Sequence, residues 1–165
     1  MVTRSKSHGN KQDLARKLIK QVVKRGMKKS NAFLRIGFKS SNNLEIDRNI
    51  RESKIPVSVI SLLGKELDLS EQKVSSLVKV SASTLSRRRQ KGEGLKPDEA
   101  GRVYRIASIL SLAESTLGEH ERSVRWLKTP AKFLGGVIPL ELLETEAGTE
   151  EVRKLLLRIE HSVYS

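Results

Sequence analysis

The sequence predicts an all-α protein, and three observations carry that prediction. Apolar residues recur at three- and four-residue spacing from Val57 to Val163. No alternating apolar–polar run of useful strand length interrupts them. Aromatic side chains make up only 4% of the 165 residues, within an apolar fraction of 37%. Helical periodicity with mainly aliphatic side chains favours helix-on-helix packing over a sandwich or a barrel.

Met1–Gln12 is polar, basic and without periodicity, and is expected to be disordered. From Asp13, the spacing of Leu14, Leu18 and Val22 gives one apolar stripe, with Ile19 and Val23 beside it and Gly26 as a stop. The polar face carries Arg16, Lys17, Lys20, Lys24 and Arg25. Such a helix suits docking on the body of the protein, lying on a membrane surface or gripping phosphate, and docking is the simplest of the three. Ser40–Asn43 reads as a loop, and the stretch to Ile55 shows no decisive pattern.

Pro56 marks a boundary, after which short helices follow one another. Val57–Leu67 carries Val59, Ile60, Leu63 and Leu67 at helical spacing. Ser70 is an N-cap for Glu71–Lys79, whose stripe is Val74, Leu77 and Val78. Ser81 caps the next helix, which runs to about Lys91 and stops at Gly92 and Gly94. Lys96–Glu99 opens a long helix, because Pro97 has φ pre-set and two acids face the positive dipole end. It continues to Leu117, with Gly118 as its stop. Glu119–Leu127 is shorter and contains the only tryptophan, Trp126, a core anchor rather than a ligand platform given its apolar neighbours. Thr129-Pro130 caps a turn ending at Gly135-Gly136, and Pro139 opens Leu140–Glu146. Thr149 is placed as the cap of the last helix, with Val152, Leu155, Leu156, Ile159 and Val163 on its apolar face.

Charge is distributed unevenly. The net charge is +13, and residues 1–53 hold 14 Lys and Arg against 4 acids, residues 54–105 hold 11 against 6, and residues 106–165 hold 7 against 9. A basic front and a slightly acidic back suit a chain that meets a polyanion at one end only, although a solvated basic tail would give the same sum. Cysteine is absent, the basic start has no apolar run behind it, and nothing approaches the ~20 apolar residues of a membrane helix. These features lead to the expectation of a cytoplasmic protein without a secretory signal or a membrane partner.

Two short helices meet at Lys79-Val80-Ser81. This is helix-turn-helix spacing, in which the second helix enters the DNA major groove. With Leu85 on the buried face and 100° per residue, Ser83, Arg87 and Gln90 point away from the core, flanked by Ser86 and Lys91. Arginine pairs with guanine, glutamine with adenine and serine with either. Lys79, Arg88, Arg89 and Lys91 are placed as phosphate contacts, which position the helix without reading sequence. Ser81 and Thr84, in the first turn, complete the candidate DNA-binding set. The competing reading is a solvated basic helix face.

The same residues resemble a known family, the Xre/MbcA/ParS antitoxins paired with RES-domain toxins in type II toxin-antitoxin systems. Ser83-Thr84-Leu85-Ser86-Arg87-Arg88 is similar to the family's Thr-Leu-x-Arg-Arg signature, and Gly94–Glu99 to its linker into the long helix. The C-terminal likeness is closer. It comprises Trp126-Leu127-Lys128-Thr129-Pro130, then Leu134-Gly135-Gly136 with Pro139–Leu143, then Thr145–Gly148 with Val152 and Leu156, and the ending Arg158–Tyr164. The chain departs from the family at Ser83, where arginine is usual, at Pro97, where Ser or Thr is usual, and at Ile138, where threonine is usual.

The resemblance covers about residues 57–165. It implies an Xre/Cro-like helix-turn-helix domain, placed at residues 54–100, and a small helical toxin-binding domain at residues 101–165. Residues 1–53 form a basic extension, partly disordered or helical. By resemblance, Leu134, Gly135, Gly136, Pro139, Leu143, Glu160, His161, Val163, Tyr164 and Ser165 would meet the toxin. The resemblance further implies that a RES-type toxin, which degrades NAD⁺, is bound and blocked at its active site. It also implies a homodimer within a larger toxin–antitoxin complex that represses its own operon at operator DNA. The antitoxin itself would need no cofactor.

Catalysis is not expected. The three histidines, His8, His120 and His161, lack metal-ligand spacing partners, and no Ser/His/Asp set, paired carboxylates or P-loop stands out. Two other classes stay open: a stand-alone transcriptional regulator whose C-terminal half only dimerises, and a sequence-tolerant nucleic-acid binder that relies on the basic N-terminal region.

Overall fold

Apolar spacing becomes packing around one central helix. The computed structural model describes residues 32–40 and 42–163, apart from the side chains of 162 and 163. The polar start and the helix expected from Asp13 lie outside the described residues. The elements are α1 (Ala32–Ile36), α2 (Asn43–Arg51), α3 (Ser58–Leu67), α4 (Glu71–Val78), α5 (Ala82–Lys91), α6 (Pro97–Leu117), α7 (His120–Leu127), a 3₁₀ turn (Lys132–Leu134), α8 (Pro139–Leu142) and α9 (Glu146–Val163). The described residues contain no β-strand. One isolated antiparallel bridge joins Pro56 to Gly94, and the Leu95 amide donates to the Ile55 carbonyl at 2.8 Å, tying the exit of α5 to the entrance of α3. The all-α expectation holds.

The spine is α6, which packs against α1, α2, α3, α4, α7 and α9. Its buried positions Ala100, Val103, Ile106, Ala107, Ile109, Leu110 and Ala113 cover a broad arc, as a helix with neighbours on several sides requires. Pro97 opens it as expected, the Glu99 carboxylate accepts the Lys96 amide at 2.8 Å, and Gly118 ends it in the left-handed region. The boundary expected between residues 100 and 101 therefore falls in the first turn of a continuous helix, and the two halves share that helix rather than parting there.

The N-terminal extension is corrected more substantially, because from Ala32 onward it contributes to the core. Ala32, Ile36, Phe38 and Ile46 are each at most 2% exposed. Phe33 packs edge-on to Phe38 and lies 5.5 Å from the Tyr104 ring of α6. Asn42 caps α2 by accepting from the amides of Leu44 and Glu45.

The start of the last helix also differs from expectation. Thr145, not Thr149, is the cap: its Oγ1 accepts the Gly148 amide at 3.1 Å. Thr149 sits a turn inside α9, is 1% exposed, and donates its hydroxyl to the Thr145 carbonyl at 2.7 Å. In the same region α8 spans only four residues, and Leu143–Thr145 form the turn between the two helices. Trp126 packs against the core but is only half-buried, while Val124 and Leu127 are fully inside.

Candidate functional site

The helix-turn-helix is assembled by caps at its corner. Ser70 accepts the Lys73 amide at the start of α4, and Lys79 ends that helix with φ 60° and ψ 47°. Ser81 then accepts the Thr84 amide at 3.1 Å to open α5. Val74, Leu77, Val78, Val80 and Leu85 are buried beneath, so the angle between the two helices is set by packing. The Arg102 guanidinium of α6 donates to the Val78 carbonyl at 3.3 Å, fastening the corner to the spine.

The candidate DNA-binding residues have different fates. Ser83, Ser86, Arg87, Gln90 and Lys91 are exposed, as helical phase predicts, and Arg87, Gln90 and Lys91 make no side-chain bond among the described residues. The hydroxyls of Ser81 and Thr84 bond to each other at 2.8 Å, and the Ser81 and Ser83 hydroxyls lie 3.0 Å apart, so the cap already engages them. Lys79 is exposed and lies 3.5 Å from Glu144 of the C-terminal half.

Arg88 is a correction. It is 4% exposed, and its guanidinium makes a fork-like pair with the buried Glu99 carboxylate. One turn beyond Leu85, it faces α6 and is not available to a phosphate. Arg89 is exposed but engaged: its Nη2 donates to Glu71 at 2.7 Å and to Ser61 at 3.0 Å. Glu71 and Glu99 were not among the expected site residues. Their signal was weak, since both are acids in the first turn of a helix, where the dipole alone explains them.

The second surface lies in the C-terminal half. The chain from Ala131 to Val137 closes on itself: the Ala131 amide donates to the Val137 carbonyl and the Gly136 amide to the Ala131 carbonyl, each at 3.0 Å. Gly135 and Gly136 have φ of 71° and 80°, a conformation that side-chain-bearing residues rarely adopt. This closed loop holds Phe133 outward at 80% exposure, with Val137 at 39%. Phe133 was missed because a single phenylalanine in a short turn carries no periodicity that shows which way it faces.

Of the residues expected to meet a toxin, Leu134 is half-buried, Gly135 and Gly136 are exposed, Glu160 is half-buried and His161 is exposed. Pro139 and Leu143 are corrected: both are buried, with Leu143 at 2% exposure, and they belong to the core rather than to an outward surface. Val163 ends α9, and Tyr164 and Ser165 lie outside the described residues.

A polar cluster joins the N-terminal helices to both halves. His120, Glu114 and Glu66 offer ligand atoms within 4.8 Å of one another, a convergence of distant residues that sequence spacing did not reveal. The Arg35 guanidinium bonds both carboxylates at 2.6 Å, so the chain's own cation offsets their charge.

Residues 50–108 match the family model described as the antitoxin Xre-like helix-turn-helix domain. Residues 112–161 match that of the antitoxin Xre/MbcA/ParS C-terminal toxin-binding domain. A protein of Yersinia enterocolitica named Antitoxin Xre is 31% identical over 110 residues, covering 66% of this chain and 74% of that protein. The chain belongs to the Xre antitoxin family. An Antitoxin Xre of Photorhabdus laumondii is 27% identical over 131 residues, 79% of this chain and 88% of the relative. One of Pseudomonas putida is 37% identical over 76 residues, and that match spans about half of each chain, 46% and 48%. The two Xre family matches meet inside α6, where the two surfaces share their core. Among the described residues, no helix is long and apolar enough to cross a membrane.

Proposed function

We propose that this chain neutralises a cognate RES-type, NAD⁺-degrading toxin by binding it and blocking its active site, and that it represses its own operon through α4 and α5. In this reading it acts in the cytoplasm as a homodimer, within a type II toxin–antitoxin complex and without catalysis of its own. The observation that carries the reading is the presence of two outward surfaces on one spine. One is a capped helix-turn-helix with Arg87 and Gln90 exposed and facing away from the core. The other is the closed 131–137 loop, which presents Phe133 to solvent within the match to a toxin-binding domain. An aromatic side chain that exposed is costly in water and is the kind of anchor on which interfaces concentrate binding energy.

On the DNA side, Ser83, Ser86, Arg87, Gln90 and Lys91 are the working set, with Lys79 on the flank. On the toxin side it is Leu134, Gly135 and Gly136 with Phe133, then Glu160, His161, Val163, Tyr164 and Ser165.

Co-expression with the adjacent reading frame tests the proposal. The neighbour is expected to be toxic alone, to be relieved by this chain, and to co-purify with it. Phe133→Asp should weaken that complex by about 2 kcal/mol or more while leaving the melting temperature of the free chain unchanged. In promoter binding, Arg87→Ala and Gln90→Ala should each cost about 1–3 kcal/mol and relax sequence preference. A harmless neighbour that does not co-purify, combined with intact promoter binding, would leave a stand-alone regulator.

A further inference from the structure

Three consecutive arginines on a DNA-facing helix would ordinarily give three cations to the phosphate backbone, and this chain removes two of them from that role. Arg88 is sunk against Glu99. Arg89 is held in a three-membered network drawn from three helices: its Nη2 donates to the Glu71 carboxylate at 2.7 Å and to the Ser61 hydroxyl at 3.0 Å, and that hydroxyl donates to the same carboxylate oxygen at 2.5 Å.

Resting on the reading that α5 enters the groove, we infer that Glu71 is a specificity-determining residue, which withholds Arg89 from phosphate and thereby lowers affinity for DNA of the wrong sequence. Glu71 stands in the first turn of α4. The first helix of the motif crosses the DNA backbone, and a helix N-terminus attracts phosphate through its free amides and dipole. A fixed carboxylate there offsets the dipole and occupies the nearest guanidinium at once. The charge is maintained, because hydrogen bonds from Arg89 and then Ser61 hold the Glu71 carboxyl below the usual carboxylate range.

Phosphate contacts strengthen binding to every sequence alike, whereas base contacts separate one sequence from another. On the correct site, Arg87 and Gln90 fix the register of α5, and Arg89 stays with Glu71. On an incorrect site the protein is held by charge alone and is free to shift, and there a released Arg89 would find a phosphate. The Glu71–Arg89 pair therefore acts mainly against non-specific complexes. In a genome, the ratio of specific to non-specific binding governs occupancy.

The test measures binding of the full chain to its own promoter segment and to random duplex of equal length, across a salt series. Glu71→Gln is expected to tighten random-duplex binding roughly threefold and to steepen its salt slope by about one unit, the value of one added phosphate contact. Promoter binding should change less, so the ratio falls. Glu45→Gln removes the same charge from an exposed acid on α2 and should not reproduce the effect. Arg89→Gln should leave the salt slope of random-duplex binding unchanged, and in that background Glu71→Gln should no longer steepen it. A salt slope flattened by about one unit for all sequences in Arg89→Gln would make Arg89 a direct phosphate contact and overturn the inference. So would a Glu71→Gln variant indistinguishable from Glu45→Gln. A wild-type chain that binds neither duplex would overturn the DNA reading itself, and this inference with it.

Discussion

Arg87, Arg88 and Arg89 are chemically identical neighbours, and 100° steps send them to solvent, to the core and to a neighbouring carboxylate. The outward position of Arg87 was legible from the phase of Leu85. The inward position of Arg88 was not, because arginine is almost never fully buried without a partner, and that partner, Glu99, lies eleven residues on in another helix. Removing one member of such a pair leaves an uncompensated buried charge. Arg88→Met is therefore expected to destabilise the fold by about 3–5 kcal/mol. The double variant Arg88→Met/Glu99→Gln should recover most of that loss, since the glutamine oxygen still accepts the Lys96 amide. Urea denaturation of the two variants and the parent checks this. A double variant no more stable than Arg88→Met would mean that the pair is not what holds α5 against α6.

At the scale of elements, long periodic helices were legible and short ones were not. α3, α4, α5 and α6 appear within a residue or so of their expected limits, because a serine, a proline or a glycine punctuates each. In α2 the pattern is obscured, since Leu44 is 81% exposed and Ile46 is the only fully buried apolar residue in nine. The start of α9 was misplaced by four residues because Thr145 and Thr149 are both plausible caps, and only the Gly148 amide distinguishes them. Gly148 offers a test of sign at this scale. Alanine inside a helix is ordinarily better than glycine by about 1 kcal/mol. Here, however, a Cβ would meet the Leu142 carbonyl oxygen at 2.2 Å, so the backbones of α8 and α9 would have to separate. Gly148→Ala is expected to lower stability by about 1–3 kcal/mol and to reduce the melting temperature. An increase would show that the α8–α9 turn gives way without cost.

For the whole molecule, the decisive fact is that α6 belongs to both surfaces and that the N-terminal helices belong to α6. The charge profile set residues 1–53 apart as a basic extension, since composition separates that segment from the rest. Composition does not reveal that Ala32, Ile36, Phe38 and Ile46 complete the core, or that Arg35 joins Glu66 and Glu114. Losing one large aliphatic core side chain costs about 2–5 kcal/mol, against a total stability of about 5–15 kcal/mol for a typical domain. A chain starting at residue 54 loses Ile36, Phe38 and Ile46 together and leaves Glu114 buried without its guanidinium. It should show no cooperative urea transition by circular dichroism, whereas a chain starting at residue 32 should keep one. The two cuts also separate two functional readings. Ten of the fourteen Lys and Arg in the first 53 residues precede Ala32. If sequence-tolerant binding by the basic region were the main activity, the cut at residue 32 would abolish DNA binding in a folded protein. If α5 reads the operator, that cut should lower affinity and flatten the salt dependence while sequence preference survives. Loss of binding at residue 54 would report only an unfolded chain.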